Sequence, residues 1–339
     1  MKKLVVTGGL GFIGSNFIKK SLLKNYKILN IDKITYAGNL DNLSSVKKNK
    51  NYNFLNADIS NKNIQKKILK FHPDAIIHFA AESHVDRSIE NPQDFLQTNI
   101  TGTYNLLETV RNNKNIKFVH ISTDEVYGDL GKTKKKFNKK SKFNPSSPYS
   151  ASKASADHLV SAWQKTYGIN SVIMNCSNNY GPNQYPEKLI PHAIICLMNN
   201  KKIPIYGKGN QVRDWLFVED HCDAIDKVLN KGKSGETYLV GGKNEIKNID
   251  LVKMIVKIYF QIQKSSSKIK FIKHINFVRD RPGHDLRYSV DTSFIEKKLN
   301  WKPNTDFNNG LYKTILWYLN NSNWIENLKK KRFKLRRIG

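Results

Sequence analysis

Two side chains four positions apart, Tyr149 and Lys153, could together act as a base. They follow Pro148, a residue that suits the first turn of a helix, and their spacing places both on one helix face. A tyrosine alone has a pKa of about 10 and is a poor base at neutral pH, but a neighbouring ammonium favours the phenolate. Such a pair can take the proton of an alcohol that is being oxidised. The spacing is common by chance, so its meaning depends on the rest of the chain.

Two adjacent carboxyl groups, Asp124 and Glu125, follow Thr123 at the end of the predicted strand Lys117–Ser122. Elimination of water next to a ketone needs a base for the proton on carbon and an acid for the departing hydroxyl. Crowding two carboxyl groups beside a buried substrate should raise the pKa of at least one of them, which keeps a proton available. The competing interpretation is an exposed acidic pair in a solvated loop.

A glycine-rich loop joins the first predicted strand, Lys3–Thr7, to the first predicted helix. Gly8 and Gly11 allow a tight turn and a close backbone approach to a pyrophosphate, and Gly14 lets the helix pack on the strand. This context on both sides predicts a dinucleotide site. A glycine turn without a ligand is the alternative.

Asp32 ends the second predicted strand, where a carboxylate can accept hydrogen bonds from the adenosine ribose hydroxyls. A free 2′-hydroxyl, and therefore NAD, is favoured over a 2′-phosphate, although Lys33 beside Asp32 weakens that preference. After the third predicted strand, Asp58 and Ile59 could meet the adenine, and Asp58 could equally cap a helix.

These groups need elements that bring them together, and the first half of the chain alternates apolar runs with helical patterns. The predicted strands are Lys3–Thr7, Lys27–Asp32, Tyr52–Asn56, Ala75–Ala80, Lys117–Ser122 and Asn170–Asn175. The predicted helices are Phe12–Lys24, Asn63–Lys70, Pro92–Asn112, Pro148–Tyr167, Leu189–Asn199, Asp220–Asn230, Asn248–Tyr259, Ser293–Leu299 and Asn309–Asn320. The pattern indicates an α/β fold with a doubly wound parallel sheet, the Rossmann arrangement.

The pattern becomes irregular after about Tyr180, where prolines interrupt it. We therefore expect two domains. Residues 1–180 form an NAD-binding Rossmann domain with the catalytic residues, and residues 181–339 form a smaller α/β domain that mainly binds the substrate. Some segments of the second domain are expected to return to the Rossmann sheet.

The chain is strongly basic, with 57 Lys and Arg against 28 Asp and Glu in 339 residues and a net charge of +29. A nucleic-acid-binding protein on a Rossmann scaffold would explain this charge, but the lysines are scattered and no recognition motif accompanies them. Runs at Lys132–Lys142 and Lys329–Arg337 are the exceptions. A lysine-rich surface without a nucleic-acid partner is favoured, and it can steer an anionic substrate towards the site.

Three cysteines, Cys176, Cys196 and Cys222, have no paired spacing, so neither a disulfide framework nor a zinc site is predicted and no metal is expected. No apolar run of about 18 residues predicts a membrane span. Glycines interrupt the apolar stretch after the first residues, which argues against a signal peptide. We therefore expect a cytoplasmic protein with no membrane partner.

The motifs together resemble the extended short-chain dehydrogenase/reductase family of nucleotide-sugar enzymes, and within it the 4,6-dehydratases. The segments that carry the resemblance are DKITYAGNL (32–40), FAAESHVDRSI (79–89), STDEVYG (122–128), SPYSASKASADHL (147–159), NCSNNYGPNQYPEKLIP (175–191), PIYGKGNQVRDWLFVEDH (204–221) and DRPGHDLRY (280–288). The chain departs from the family mainly between Asp129 and Asn144, where a short lysine-rich loop replaces a longer acidic insert.

The resemblance implies a lyase that converts dTDP-glucose to dTDP-4-keto-6-deoxyglucose and supplies activated deoxysugars. Tyr149 would take the C4 hydroxyl proton while NAD accepts the hydride, with Thr123 bonded to the C4 oxygen and Lys153 to the nicotinamide ribose. Glu125 would remove the C5 proton and Asp124 would protonate the departing C6 hydroxyl. The hydride then returns to C6.

Further site residues are implied by the same resemblance. The cofactor-binding residues would be Gly8, Gly11, Phe12, Ile13, Gly14, Asp32, Lys33, Ile34, Thr35, Asp58, Ile59, Ala80, Ala81, Glu82, Ser83, His84, Thr98, Tyr149, Lys153 and Asn179. The substrate-binding residues would be His84, Thr123, Asn178, Lys188, Leu189, Pro204, Ile205, Tyr206, Arg213, Asn248, Asp280, Arg281, Pro282, Gly283 and His284.

Some alternatives remain open at this stage. Arg213 can bind a diphosphate with its forked guanidinium, or it can pair with Asp214 or Glu219. The substrate can be UDP- or CDP-glucose, and the reaction can be a 4-epimerisation, although an epimerase gives two adjacent carboxyl groups no task. The resemblance also implies a homodimer that packs through helices near 98–112 and 149–167.

Overall fold

The computed structural model describes residues 1–264 and 270–330. The strands of this part are β1 Lys3–Thr7, β2 Lys27–Asp32, β3 Tyr52–Asn56, β4 Ala75–His78, β5 Lys117–Thr123, β6 Ser171–Cys176, β7 Asn178–Tyr180, β8 Ile203–Tyr206, β9 Val212–Phe217, β10 Thr237–Val240, β11 Glu245–Lys247 and β12 Ile275–Val278. The helices are α1 Phe12–Leu23, α2 Ile64–Phe71, α3 Val85–Glu90, α4 Gln93–Phe95, α5 Gly102–Arg111, α6 Pro148–Tyr167, α7 Leu189–Met198, α8 Val218–Lys231, α9 Asn248–Ile262, α10 Ser293–Leu299, α11 Phe307–Asn320 and α12 Ser322–Lys330. Of the basic run at 329–337, the residues from 331 onward lie outside the described part.

The main sheet of the described residues has seven parallel strands in the order β10-β6-β5-β4-β1-β2-β3. Strands β4 and β6 are buried along their whole length, as expected for central strands that helices cover on both faces. This is the doubly wound Rossmann arrangement that the sequence predicted.

Chain order reverses between the neighbouring strands β1 and β4, since β2 and β3 continue on one side and β5 and β6 on the other. The carboxyl ends of the strands next to such a switch point diverge and leave a crevice between their loops. The glycine loop follows β1 and the segment 79–84 follows β4, so both open into this crevice.

Two apolar layers hold the helices on the sheet. One face packs against α1, α8 and α10, and the other packs against α2, α5 and α6. Segments from the later half of the chain therefore contribute to the first layer, and β10 pairs with β6 in the main sheet. The predicted division between residues 180 and 181 stays a prediction.

A second apolar cluster lies among α7, α9, α11 and the strands β8 and β9. It supports two small sheets, β11-β9-β7 and β12-β8. Strand β7 follows β6 after one residue, so this lobe begins at the edge of the crevice. None of the helices in the described part combines the length and apolar character that a membrane crossing requires.

Helix α6, which carries Tyr149 and Lys153, has strong boundaries. Ser147 and Ser150 form a capping box, and Pro148 occupies the first turn. The helix ends at Gly168, whose φ of 66° is the left-handed conformation of a helix C-cap. The position of the catalytic pair is therefore fixed from both ends.

The observed elements end within three residues of the predicted ones, with two differences in the first half. Strand β4 ends at His78 rather than Ala80, which frees 79–84 to line the crevice. The predicted helix Pro92–Asn112 is divided by a π-helical segment, Leu96–Thr101. The short elements β7, β8, β9, β10, β11, β12, α3 and α12 have no counterpart with predicted bounds.

Candidate active site

The glycine loop forms a backbone cradle at the start of α1. Gly8 has a φ of 73°, and a Cβ there would lie 2.5 Å from the backbone nitrogen of Ala80. A Cβ at Gly14 would lie 2.5 Å from the carbonyl oxygen of Gly8. No side chain caps the N-terminus of α1, and its first turn contains no acidic residue. The cradle therefore leaves backbone N–H groups and a helix N-terminus for a pyrophosphate.

Asp32 lies behind this loop and is buried. Its carboxylate accepts hydrogen bonds from the backbone N–H of Leu10 at 3.0 Å and of Ile34 at 2.9 Å. Burial raises the pKa of Asp32, and these two N–H groups oppose the rise. Asp32 thus ties the glycine loop to the segment after β2.

Lys33 and Asp58 meet at the far end of the crevice, with 3.5 Å between Nζ and Oδ2. Lys33 also donates to Thr98 Oγ1 at 3.0 Å. Asp58 accepts from the N–H of Ser60, whereas the residue before α2 is Asn63. Asp58 therefore does not cap α2, and it lies in a turn beside the crevice.

Asn99 hydrogen-bonds to the backbone of segment 79–84. The sequence analysis did not name Asn99 as a site residue. Asn99 Oδ1 accepts from the N–H of Glu82 at 2.9 Å, and its Nδ2 donates to the carbonyl of Glu82 at 3.0 Å and to Ser152 Oγ at 2.8 Å. Asn99 belongs to the π-helical segment, so the irregular turn places one amide between this segment and the catalytic helix.

Tyr149 and Lys153 face the crevice from α6, and both are buried. Lys153 Nζ donates to the carbonyl of Ile121 at 2.9 Å, and Thr123 lines the same crevice as Tyr149. Burial and the nearby Glu125 hold the pKa of Tyr149 well above its ordinary value. A phenolate is favoured when the positive charge of an oxidised cofactor adds to that of the ammonium, so this expectation stays a prediction.

The Thr123-Asp124-Glu125 segment ends β5 and turns into the crevice as a 3₁₀ turn. Thr123 Oγ1 accepts from the N–H of Glu125 at 3.2 Å and lies 3.3 Å from Asp124 Oδ1. Asp124 is 1 % exposed, and its Oδ2 has no hydrogen-bond partner among the described residues. Burial, Glu125 and Asp214 raise the pKa of Asp124 well above its usual range. The pKa of Asp124 is shifted in the direction expected for one member of the pair, and its burial rules out the solvated-loop interpretation for Asp124.

These groups line one continuous crevice with an empty volume of about 1510 Å³, its open mouth included. The predicted cofactor residues in its lining are Gly8, Gly11, Phe12, Ile13, Gly14, Asp32, Lys33, Thr35, Ile59, Ala80, Ala81, Glu82, Ser83, Thr98, Tyr149, Lys153 and Asn179. The predicted catalytic or substrate residues in the lining are Thr123, Asp124, Glu125, Asn178 and Lys188. Ile34, Asp58 and His84 are sequence neighbours of lining residues and do not line it themselves.

The remaining predicted substrate residues are Leu189, Pro204, Ile205, Tyr206, Arg213, Asn248, Asp280, Arg281, Pro282, Gly283 and His284, and they lie outside this lining. Two of these residues, Tyr206 and Arg281, contact Asp86 on α3. Tyr206 donates to Asp86 Oδ2 at 2.7 Å, and Arg281 Nη1 lies 3.2 Å from Asp86 Oδ1. His284 Nδ1 is 2.6 Å from Asp280 Oδ1. The second lobe is thereby joined to the segment that follows the cofactor loop.

Arg213 is buried, and its guanidinium contacts backbone carbonyls. It donates to Val212 at 2.9 Å, Leu286 at 3.3 Å and Asp285 at 2.9 Å. In the described part of the chain it forms no ion pair with Asp214 or Glu219, so that alternative is wrong. A diphosphate contact by Arg213 stays a prediction.

Glu187 joins three segments around the mouth of the crevice, and the sequence analysis missed this cluster. Its carboxylate is 3.3 Å from Arg87 Nε and accepts from the Tyr36 hydroxyl at 3.2 Å. The Arg87 guanidinium lies 3.6 Å from the centre of the Tyr36 ring. The YPEK segment gave no signal for these contacts, because their residues are distant along the chain.

Comparison with known proteins agrees with this geometry. A family model described as GDP-mannose 4,6 dehydratase matches residues 5–314. A dTDP-glucose 4,6-dehydratase of Neisseria meningitidis serogroup B is 47 % identical, and the alignment covers 100 % of this chain and 99 % of the relative.

Two solved dTDP-glucose 4,6-dehydratases have the same fold. The enzyme of Bacillus anthracis, in complex with NAD, is 44 % identical with a TM-score of 0.88 over 97 % of this chain and 100 % of its own. DesIV of Streptomyces venezuelae, also with NAD bound, is 40 % identical with a TM-score of 0.90 over 96 % and 99 %. The chain therefore belongs to the dTDP-glucose 4,6-dehydratase family of the extended short-chain dehydrogenase/reductases.

Proposed function

We propose that this protein eliminates water from dTDP-glucose to give dTDP-4-keto-6-deoxyglucose, with NAD held in the crevice. The observation that carries the proposal is the buried Asp124, whose pKa is raised well above its usual range, next to Glu125 in the crevice that Tyr149 also lines. The oxidation step requires only the tyrosine as a base. The elimination of water requires, in addition, an acid and a second base.

The backbone that lines the crevice has the features of an NAD site. The cradle at Gly8 and Gly14 would be filled by any Cβ, and α1 presents an uncapped N-terminus to a pyrophosphate. Asp32 supplies a carboxylate for the adenosine ribose. When bound, NAD accepts a hydride from C4 of the sugar and returns it to C6.

Tyr149 removes the proton of the C4 hydroxyl in the proposed reaction. Its raised pKa in the described residues means that the positive charge of Lys153 and of the oxidised cofactor must together favour the phenolate. Thr123, which lines the crevice together with Tyr149, holds the C4 oxygen. Proton removal is thus tied to the presence of the cofactor.

Asp124 and Glu125 divide the elimination between them. Asp124 stays protonated because it is buried next to another carboxyl group, so it can donate to the departing C6 hydroxyl. Glu125 removes the C5 proton, which a ketone at C4 makes acidic. After elimination the hydride returns to C6 and Glu125 returns a proton to C5. Tyr149 then releases the C4 hydroxyl proton to solvent and Asp124 takes one up, so the tyrosine and both carboxyl groups return to their starting states.

Unpartnered polar atoms support a sugar-nucleotide site towards the second lobe. Asn178 Oδ1, Asn248 Oδ1 and Arg281 Nε are buried without a hydrogen-bond partner among the described residues. Buried polar atoms in native proteins are nearly always bonded, so these three indicate a polar ligand. Lys188, at the start of α7, adds a positive charge in the crevice.

The experiment that tests the proposal replaces both carboxyl groups by amides, Asp124→Asn with Glu125→Gln. The wild-type protein should convert dTDP-glucose to a product lighter by one water, with solvent deuterium at C5 in D₂O. The double variant should stop dehydration yet still reduce NAD at C4, seen as nicotinamide absorbance. Glu219→Gln with Asp223→Asn removes two acidic groups outside the crevice and serves as the matched control.

Two outcomes would contradict the proposal. Dehydration at the wild-type rate in the double amide variant would remove the pair from the mechanism. A product of unchanged mass from the wild-type protein would instead indicate a 4-epimerase. Parallel assays with UDP- and CDP-glucose measure the base selectivity, for which we propose thymidine.

We further propose a cytoplasmic homodimer without a nucleic-acid partner. Leu96 and Tyr104, near the start of the expected dimer helix at 98–112, are 51 % and 38 % exposed, so both are available to a partner subunit. Light scattering should give a dimer for the wild-type protein and a monomer for Tyr104→Asp. A steep loss of DNA affinity with salt would contradict the absence of a nucleic-acid partner.

A further inference from the structure

Asp157 lies on α6 one turn after Lys153 and is completely buried. Side chains four residues apart share a helix face, so Asp157 faces the same strands as Lys153. Neither the glycine loop nor the sugar side of the crevice uses it, and it does not line the crevice. An ionisable group in such a position needs a reason, since burying a carboxyl group without a partner is costly.

Lys153 provides one part of the reason, because its ammonium is also buried. Its hydrogen bond goes to the neutral carbonyl of Ile121, at 2.9 Å. Burial lowers the pKa of Lys153, and the negative charge of Asp157 is the main influence that opposes this. Without that charge the lysine would lose its proton more easily.

The surroundings hold Asp157 in place from both central strands. Its Oδ2 accepts from Asn175 Nδ2, on β6, at 2.9 Å, and its Oδ1 lies 3.1 Å from His120 Nε2, on β5. Burial lowers the pKa of His120 well below its ordinary value, so this histidine is neutral. The positive charge that Asp157 faces is therefore that of Lys153.

A second link runs from Asp157 to the acid–base pair. Asn175 Nδ2 also donates to the carbonyl of Thr123 at 3.2 Å, and Asn175 Oδ1 accepts from the Tyr127 hydroxyl at 3.1 Å. Asp157 thus shares a buried helix face with Lys153, without a direct ion pair in the described part of the chain, and is linked through Asn175 to the backbone of the residue that precedes Asp124. The titratable and polar groups that face it are Lys153 and His158 on α6, His120 and Ser122 on β5, Asn175 on β6 and Tyr127.

We propose that Asp157 is a positioning residue for the C4 oxidation, in which its carboxylate keeps Lys153 protonated beneath Tyr149 while Asn175 fixes its orientation. The inference rests on the proposed function for its consequence in catalysis. The charge pairing itself is a property of the folded protein and is measurable without substrate.

The first test uses urea titrations at several pH values to measure how the free energy of unfolding of Asp157→Asn depends on pH. A lysine whose pKa falls on folding binds fewer protons in the native state, so the folding equilibrium constant rises with pH, by up to about tenfold per unit. In Asp157→Asn this rise should begin at least about one pH unit lower than in the wild-type protein. Asp220→Asn, a buried aspartate that accepts from Thr305 N at 2.9 Å, should leave the onset unchanged.

The second test is the pH profile of enzyme-bound NADH formation from dTDP-glucose. In Asp157→Asn the alkaline limb should move down by about one pH unit or more, because Lys153 loses its proton earlier. A residue that only supports packing would lower the rate at every pH without moving the limb. If Asp157→Asn does not fold, Asn175→Ala tests the same array, and its acid limb should move up because the carboxylate loses the hydrogen bond from Asn175 Nδ2.

The outcomes separate the two proposals. If the unfolding curves and the pH profile of Asp157→Asn have the wild-type pH dependence, the positioning role is refuted. The same holds if Asn175→Ala only lowers the rate. If the wild-type protein forms neither NADH nor a dehydrated product, the proposed function fails, and the unfolding experiment still decides the charge pairing.

Discussion

Asp124→Asn is a sharp test of the site, because burial and Glu125 raise the pKa of the wild-type carboxyl group well above its usual range. An unfolded aspartic acid loses its proton at a pH of about 3.9. The buried group keeps its proton well above that pH, because burial and Glu125 disfavour the charge. Folding therefore takes up a proton, and the free energy of unfolding of the wild-type protein falls as pH rises through this window.

The magnitude follows from the linkage relation. One proton taken up on folding changes the free energy of unfolding by about 1.4 kcal/mol per pH unit. Asparagine has no proton to take up, so this decline is absent in Asp124→Asn. The variant should gain stability relative to the wild-type protein by about 1.4 kcal/mol for each pH unit, from about pH 4 up to the folded-state pKa of Asp124.

The assay is urea unfolding of both proteins at about pH 5, 6 and 7, at one fixed NAD concentration. Other buried acids, such as Glu187 and Asp157, contribute equally to both proteins and cancel in the difference. Asp129→Asn is the control. Although burial opposes it, backbone N–H groups of Arg287 and Gly131 lower the pKa of Asp129. The contribution of Asp129 to stability is lost only as pH falls through that lowered pKa. The difference in free energy of unfolding between Asp129→Asn and the wild-type protein should therefore be constant above about pH 5.

The reasoning is refuted if the difference in free energy of unfolding between Asp124→Asn and the wild-type protein does not change with pH. It would mean that Asp124 is ionised in the folded protein and cannot donate a proton to the leaving hydroxyl. The dehydration rate should fall by a factor of about 10² to 10⁴ in the same variant, the usual loss for a general acid.

Three further changes have defined outcomes. Gly8→Ala should abolish NAD binding, measured by calorimetry, because its Cβ would lie 2.5 Å from Ala80 N. Arg87→Ala should weaken NAD retention on gel filtration by about tenfold, since it loses the ion pair with Glu187 and a cation–π contact at the mouth of the crevice. Neutralising the exposed lysines of 132–142 should leave kcat unchanged and lower kcat/KM less than about tenfold, only at low salt.

Matched controls make these outcomes decisive. Gly168→Ala has the same backbone strain, with a φ of 66°, but nothing lies within 4 Å of the new Cβ, so NAD binding should persist. Arg111→Ala removes an ion pair with Glu108 and a contact with the Tyr167 ring at 4.0 Å, outside the crevice, and should retain NAD. Equal NAD loss from both arginine variants, or a fall in kcat on lysine neutralisation, would contradict the explanation.

Local patterns were sufficient for much of the fold. Strand β4 and its neighbours are continuous apolar runs, and α6 has a proline and a capping serine at its start, so their positions follow from neighbouring residues. Gly8, Gly14 and Asp32 form a site within one β-α-β unit, which makes it readable from spacing. The short strands of the second lobe were not predicted, because each gains its stability from partners distant along the chain.

The sequence by itself determined the residue types of the reaction: a tyrosine and a lysine on one helix face, two adjacent carboxyl groups after a strand, and a glycine loop. Only the tertiary structure decided their protonation. Burial keeps the proton on Asp124 and raises the pKa of Tyr149, and burial depends on which elements pack over the strand ends. Asn99 and Asp157 likewise acquire their roles through contacts with residues on other elements, which no local pattern encodes.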